Sequence, residues 1–256
     1  MFKYIWYKEI NEQLYTWKSA LWLVLTAIIF SFSSYLFLTD KELSLLDQTE
    51  LLWLLSQVIL GVAFLVISID ASLSINLEFE KETIETLFLA PITLTDFIIG
   101  KLLASLTLWA AIFVLAIPYI IATSSGTHLT LAFLFYTALW GTLGVLGFLM
   151  LIFAISFIYR SSKNTLTTAL VILIGLFVPA LFSSTLKNNV AAQLFSKINP
   201  VDNIFSSMDN ILVDYQLNLA YNWKYFSSVL IFVALSLMLL IFSAWYFQKN
   251  GTIKCE

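Results

Sequence analysis

Residues 51–101 read LLWLLSQVILGVAFLVISIDASLSINLEFEKETIETLFLAPITLTDFIIGK. Over 51–73 this stretch is almost wholly apolar, with Asp70 as its one carboxylate, near the far end. About 20 such residues are enough to cross the hydrocarbon of a bilayer as a helix. The next 26 residues, 76–101, change character and carry five carboxylates: Glu78, Glu80, Glu82, Glu85 and Asp96. At Leu102 a second long apolar run begins. The order is span, acidic connection, span.

The same test applied outward finds six spans, at about 19–38, 51–73, 102–123, 129–158, 165–186 and 226–247. Composition agrees. Of 256 residues, 60 % are hydrophobic and 11 % charged, where a soluble domain carries about 25 % charged residues. A soluble globule of this composition would expose large apolar patches, which soluble monomers avoid. Soluble enzymes, nucleic-acid binders and disordered chains are excluded. The net charge of -3 offers no basic face for nucleic acid. A single cysteine, Cys255, and a single histidine, His128, leave no disulfide framework and no Cys/His metal spacing. The expected fold is an all-α integral membrane protein with six spans, one domain over residues 1–256.

Orientation follows from Lys and Arg. With a cytoplasmic N-terminus, Lys3, Lys8, Lys18, Lys81, Lys101, Arg160, Lys163, Lys249 and Lys254 lie inside, and Lys41, Lys187, Lys197 and Lys224 outside. Nine against four places both termini in the cytoplasm. The first run is too long for a signal-peptide core and no A-x-A-like site follows it, so it is expected to stay as a span.

Between the spans, residues 1–18 place Phe2, Ile5, Trp6, Ile10 and Leu14 on one helical face, with Lys3, Lys8, Glu9, Glu12 and Lys18 mostly off it. That pattern predicts an interfacial helix. The segment 187–225 predicts one or two short helices on or dipping into the outer leaflet. Gly141, Gly144 and Gly147 are spaced by three in the fourth span. Small residues on one stripe let a neighbour approach closely, either as packing within the chain or as a cavity wall or subunit seam.

In the acidic connection, Glu78, Glu82 and Glu85 fall at i, i+4 and i+7 and share a helix face opposite Leu77, Ile84 and Leu87. Pro91 ends that helix, and Thr93 or Thr95 caps a second one ahead of the third span. The expected element is a helix-turn-helix over 76–100 that displays carboxylates at the cytoplasmic surface, either as a solvated face or as a dock for a basic partner.

This stretch resembles the signature of ABC-2 type transporter permeases. Glu80-Lys81 precede Glu82-Thr83-Ile84-Glu85, followed by Thr86, Leu87, Pro91 and Gly100-Lys101. Glu82 stands where the family usually has Gly. The resemblance implies a permease of the plasma membrane, in a bacterium the inner membrane. Its partners would be an ABC ATPase dimer and a second, identical or similar, permease, joined through spans one and five. It also implies that Glu78, Glu80, Lys81, Glu82, Thr83, Glu85, Thr86, Leu87, Pro91 and Lys101 belong to a coupling element seated in the ATPase, flanked by the N-terminal helix.

The chain has no Gly-x-x-x-x-Gly-Lys-(Ser/Thr), so ATP and Mg are expected in the partner and no cofactor in this chain. Apart from Asp70 near the cytoplasmic end of the second, the spans hold no Asp, Glu, Lys, Arg or His, which argues against a proton- or ion-coupled carrier. An exporter permease for a hydrophobic or amphipathic substrate is the leading expectation. A membrane scaffold that transports nothing, or an ATP-independent secondary carrier, are its rivals.

Overall fold

Hydrocarbon offers no partner for a backbone N–H or C=O, so each apolar run must satisfy its own backbone as a helix. The computed structural model describes residues 6–11, 16–39, 47–81, 83, 93–125, 127–180, 190–218 and 220–250. The described residues form helices and connections, with no strand among them. Residues 6–11 are helical. They are followed by α1 (Trp17–Thr39), α2 (Gln48–Glu80), α3 (Leu94–Thr123), α4 (Thr130–Tyr159), α5 (Ser162–Ala180), α6 (Val190–Ile198), α7 (Pro200–Leu212) and α8 (Trp223–Asn250). Six of these, α1 to α5 and α8, are long and apolar enough to cross a membrane.

The helices run past the apolar limits set from sequence. The stretch 76–80 is not the start of a separate helix. It continues α2, which runs 33 residues without a break to Glu80, about 50 Å at 1.5 Å per residue. The return is continuous as well. Thr93 accepts a hydrogen bond from the Asp96 N–H, and from that cap α3 runs straight into the third span. No proline lies between Leu73 and Glu80 or between Leu94 and Leu102, so the helices carry on once started. Lys101 therefore lies two turns inside a spanning helix rather than ahead of it. The expected helix of 76–89 beyond Thr83 lies outside the described residues, as do 181–189 at the expected end of the fifth span.

α2 and α4 form the centre. Their most apolar stretches are 56 % and 61 % buried, against 17 %, 17 % and 22 % for α1, α5 and α8. The glycines of α4 make this possible. A Cβ on Gly141 would collide with Trp109 of α3, one on Gly144 with Phe64 of α2, and one on Gly147 with Phe232 of α8. Each faces a different neighbour in the same chain, so the stripe serves packing within the subunit.

The described part of α5 covers Ser162–Ala180, 19 residues. Beside its last turns lies α7. Ten of the 13 residues of α7 are buried, including Val201, Ile204, Met208 and Ile211. Phe205 packs edge-on against Phe177 of α5, its carbonyl accepts from Trp53 Nε1 at 3.1 Å, and Ile204 reaches Gly144 near the middle of α4. The connection before α8 thus holds two short helices, as expected, and the second is a wedge driven into the bundle.

Candidate functional site

The acidic connection leaves α2 and returns to α3 at one end of the bundle, and the chemistry is concentrated at those two roots. Lys101 is 2 % exposed. Its Nζ lies 2.8 Å from Glu78 Oε1 and 2.9 Å from Glu9 Oε1, and it donates to the Ser74 carbonyl at 2.8 Å. The three protons of an ammonium are matched by three oxygens. The Phe97 ring, one turn earlier on α3, lies 5.3 Å from the nitrogen. A lone buried ammonium would be untenable; two carboxylates and a carbonyl offset its desolvation.

This corrects two expectations. Glu9 is not on a solvated face of the N-terminal helix; it is 4 % exposed and closes on Lys101. Glu78 does not stand on an open carboxylate face; its carboxylate is largely buried against the same lysine. Two further turns of helix in α2 and α3, beyond the apolar runs, put these charges within reach of each other.

The other α2 carboxylate at this root also points back into the chain. Glu80 Oε1 accepts from the Ser162 N–H at 2.7 Å, at the first residue of α5, where an unpaired donor and the positive end of the helix dipole favour a carboxylate. Lys81 caps α2 and is exposed. Thr83 Oγ1 donates to the Glu78 carbonyl at 3.3 Å. Glu82, Glu85, Thr86, Leu87 and Pro91 lie outside the described residues.

Below the charges, three rings close the gap between α2, α4 and α8. Phe79, Phe157 and Phe247 meet in pairs at 5.4 to 6.1 Å. Arg160 lies over Phe247 at 5.0 Å and takes a left-handed conformation (φ 50°) that ends α4. Asn76 bridges α2 to α4 through Ser156 Oγ at 3.2 Å.

The sequence-predicted residues Glu78, Glu80, Thr83 and Lys101 therefore come together, and they recruit Glu9, Ser74 and Ser162, which periodicity did not single out. One signal was available: Lys101 sits between Phe97-Ile98-Ile99 and Leu102-Leu103, and a lysine among apolar residues requires a buried counter-charge. No group of three His, Cys, Asp or Glu able to hold a metal occurs among the described residues. The arrangement has no nucleophile and no acid–base pair aimed at a cavity. It is a joint that fastens the N-terminal helix, α2, α3 and α5 around the two roots of one connection.

Compared with known families, residues 5–252 match the family model described as ABC-2 family transporter protein. No curated protein matches the chain.

Proposed function

The chain belongs to the ABC-2 family of transporter proteins, and from that premise we propose that it is the membrane-spanning permease of an ATP-binding cassette exporter. ATP and Mg are held by separate ATPase subunits. The connection between α2 and α3 is the coupling element, its Lys101 end faces the cytoplasm, and the working particle contains a second permease. The excess of Lys and Arg on that side supports the orientation.

One observation carries this reading: the roots of the acidic connection are clamped rather than hinged. A push on residues 82–92 reaches α2 through Glu78 and Glu80, α3 and the N-terminal helix through Lys101, and α5 through Ser162. Packed elements with fixed joints transmit a displacement to the span interiors instead of absorbing it locally. The substrate is hydrophobic or amphipathic, because the packed interior between α2 and α4 offers Ser, Thr, Asn and Trp but no free charge.

Affinity purification of the tagged full chain from its own membranes tests the proposal. A P-loop ATPase is expected to accompany it, and amphipathic lipids or peptides are expected to stimulate ATP hydrolysis by the complex. Glu82→Ala/Glu85→Ala is expected to abolish the stimulation or the association. Transport by liposomes holding this chain alone would establish a secondary carrier instead. A stable ATPase complex that moves nothing and is stimulated by nothing would establish a scaffold.

A further inference from the structure

At the end of the bundle opposite Lys101, α6 carries Val190, Leu194 and Ile198 at i, i+4 and i+8, and all three are exposed. A short helix with an exposed apolar stripe beside spanning helices belongs in the bilayer surface. Tyr221 and Trp223 are exposed at the start of α8, where aromatic rings mark the headgroup layer. These features fix the depth of what lies between them.

Between them is a cavity of about 270 Å³, lined in part by Ser196, Lys197, Asp202, Asn203, Lys224 and Tyr225. Two lysines line it from different helices, Lys197 at the end of α6 and Lys224 in the first turn of α8, and among the described lining residues Asp202 is the one carboxylate. Their backbones are locked together. Asn203 Nδ2 lies within 3.3 Å of the carbonyls of Ser196, Lys197 and Asn199 and 3.0 Å from Ser228 Oγ. Ser228 in turn donates to the Lys197 carbonyl. Asn203 thus builds the wall and has no donor left for a ligand. The lysines are exposed, and Lys224 lies 5.9 Å from the Tyr225 ring.

We propose that this cavity holds the phosphate of a lipid headgroup from the leaflet on the α7 side, the outer leaflet in the orientation proposed above. The volume admits several water-sized groups at about 30 Å³ each. Two lysines from separately anchored helices supply charge-assisted hydrogen bonds to phosphate oxygens, and the excess of positive over negative charge selects an anionic lipid. The α6 stripe holds the acyl chains beside the site. The inference rests on the membrane depth of α6 and α8 and is independent of the ATPase, so it can fail while the transporter reading stands.

Native mass spectrometry of the purified full chain, titrated in micelles with phosphatidylglycerol or phosphatidylcholine, tests it. The wild type is expected to retain phosphatidylglycerol preferentially. Lys197→Gln and Lys224→Gln are each expected to weaken retention about tenfold, and the pair to abolish the preference. Lys197→Arg/Lys224→Arg is expected to keep it, which separates charge from folding, and Lys249→Gln at the other end is expected to change nothing. Equal retention by the wild type and the double Gln variant, or an equal loss from Lys249→Gln, would overturn the site. Displacement of the lipid by equimolar inorganic phosphate would overturn the lipid as its occupant.

Discussion

The two ends of the bundle are fastened by different chemistry. At one, Lys101, Glu9 and Glu78 form a buried charged knot that joins the N-terminal helix, α2 and α3. At the other, neutral amides do the work. Asn199 caps α7 through the Val201 N–H and reaches the Leu176 carbonyl of α5, Asn203 gathers the end of α6, and Asn222 binds Ser207 and Gln216. An amide network loses one bond at a time and its carbonyls can turn to water. A charged knot fails as a unit, because each missing member leaves another charge buried and uncompensated. The charged end stands at the roots of the connection that a partner would move, and the amide end seats a wedge that has only to stay in place.

The strongest way to break this contrast is Lys101→Met. It leaves two carboxylates buried without a counter-charge and is expected to cost about 3–5 kcal/mol, read as thermal unfolding of the full chain in detergent. Glu9→Gln/Glu78→Gln/Lys101→Met removes all three charges and is expected to recover most of that loss. If the single variant is as stable as the wild type, the knot does not hold the fold.

Packing at the centre gives the next largest effect. Gly144→Ala forces Phe64 out of its place between Phe148 and Phe177 and is expected to cost about 1–3 kcal/mol. Gly175→Ala on α5, where a Cβ meets nothing within 4 Å, is expected to be neutral or to stabilise by up to about 1 kcal/mol through helix propensity. Equal melting of the two variants would show that the α2–α4 approach is looser than it looks.

Asn203→Ala sharpens the comparison from the amide side. It removes one donor shared by several acceptors, and with exposed neighbours in α6 the carbonyls can be rehydrated. A cost of about 1–2 kcal/mol is expected, well below that of Lys101→Met. A larger cost would erase the distinction between the two ends.

The smallest effect concerns Asp209, half-buried on α7. Burial, with Asp214 and Glu50 adding repulsion, pushes its carboxyl above the usual carboxylate range. A raised pKa in the folded state contributes stability that is present below the unfolded value and is lost as pH rises through the folded one. Asp209→Asn is therefore expected to melt slightly above the wild type at neutral pH, with the gap closing on acidification. A gap that widens at low pH would reverse the assignment.

The membrane class, the number of spans and the acidic connection were legible because each is written in neighbouring residues. Glu78, Glu80, Lys81 and Lys101 were marked as a group, although the contact of Glu78 with Lys101 and of Glu80 with Ser162 was not. Glu9 was misplaced because helical periodicity ranks a residue by its neighbours, whereas its partner Lys101 is 92 positions away. The stripe of Gly141, Gly144 and Gly147 announced a close approach without saying to what, since the partners Trp109, Phe64 and Phe232 come from three other helices. Short helices in the segment before α8 were expected, but not the burial of α7, which its contacts with Phe177, Trp53 and Gly144 set.

What the chain alone determined is what the bilayer demands of any chain: apolar runs long enough to cross must become helices, because hydrocarbon leaves a backbone no other partner. What only the tertiary structure decided is where the exceptions go. A charge or an amide is tolerated inside such a bundle when its complement arrives from elsewhere, and which complement arrives depends on how the helices pack in three dimensions. So Lys101 closed on Glu9 and Glu78, and Asn203 on the end of α6.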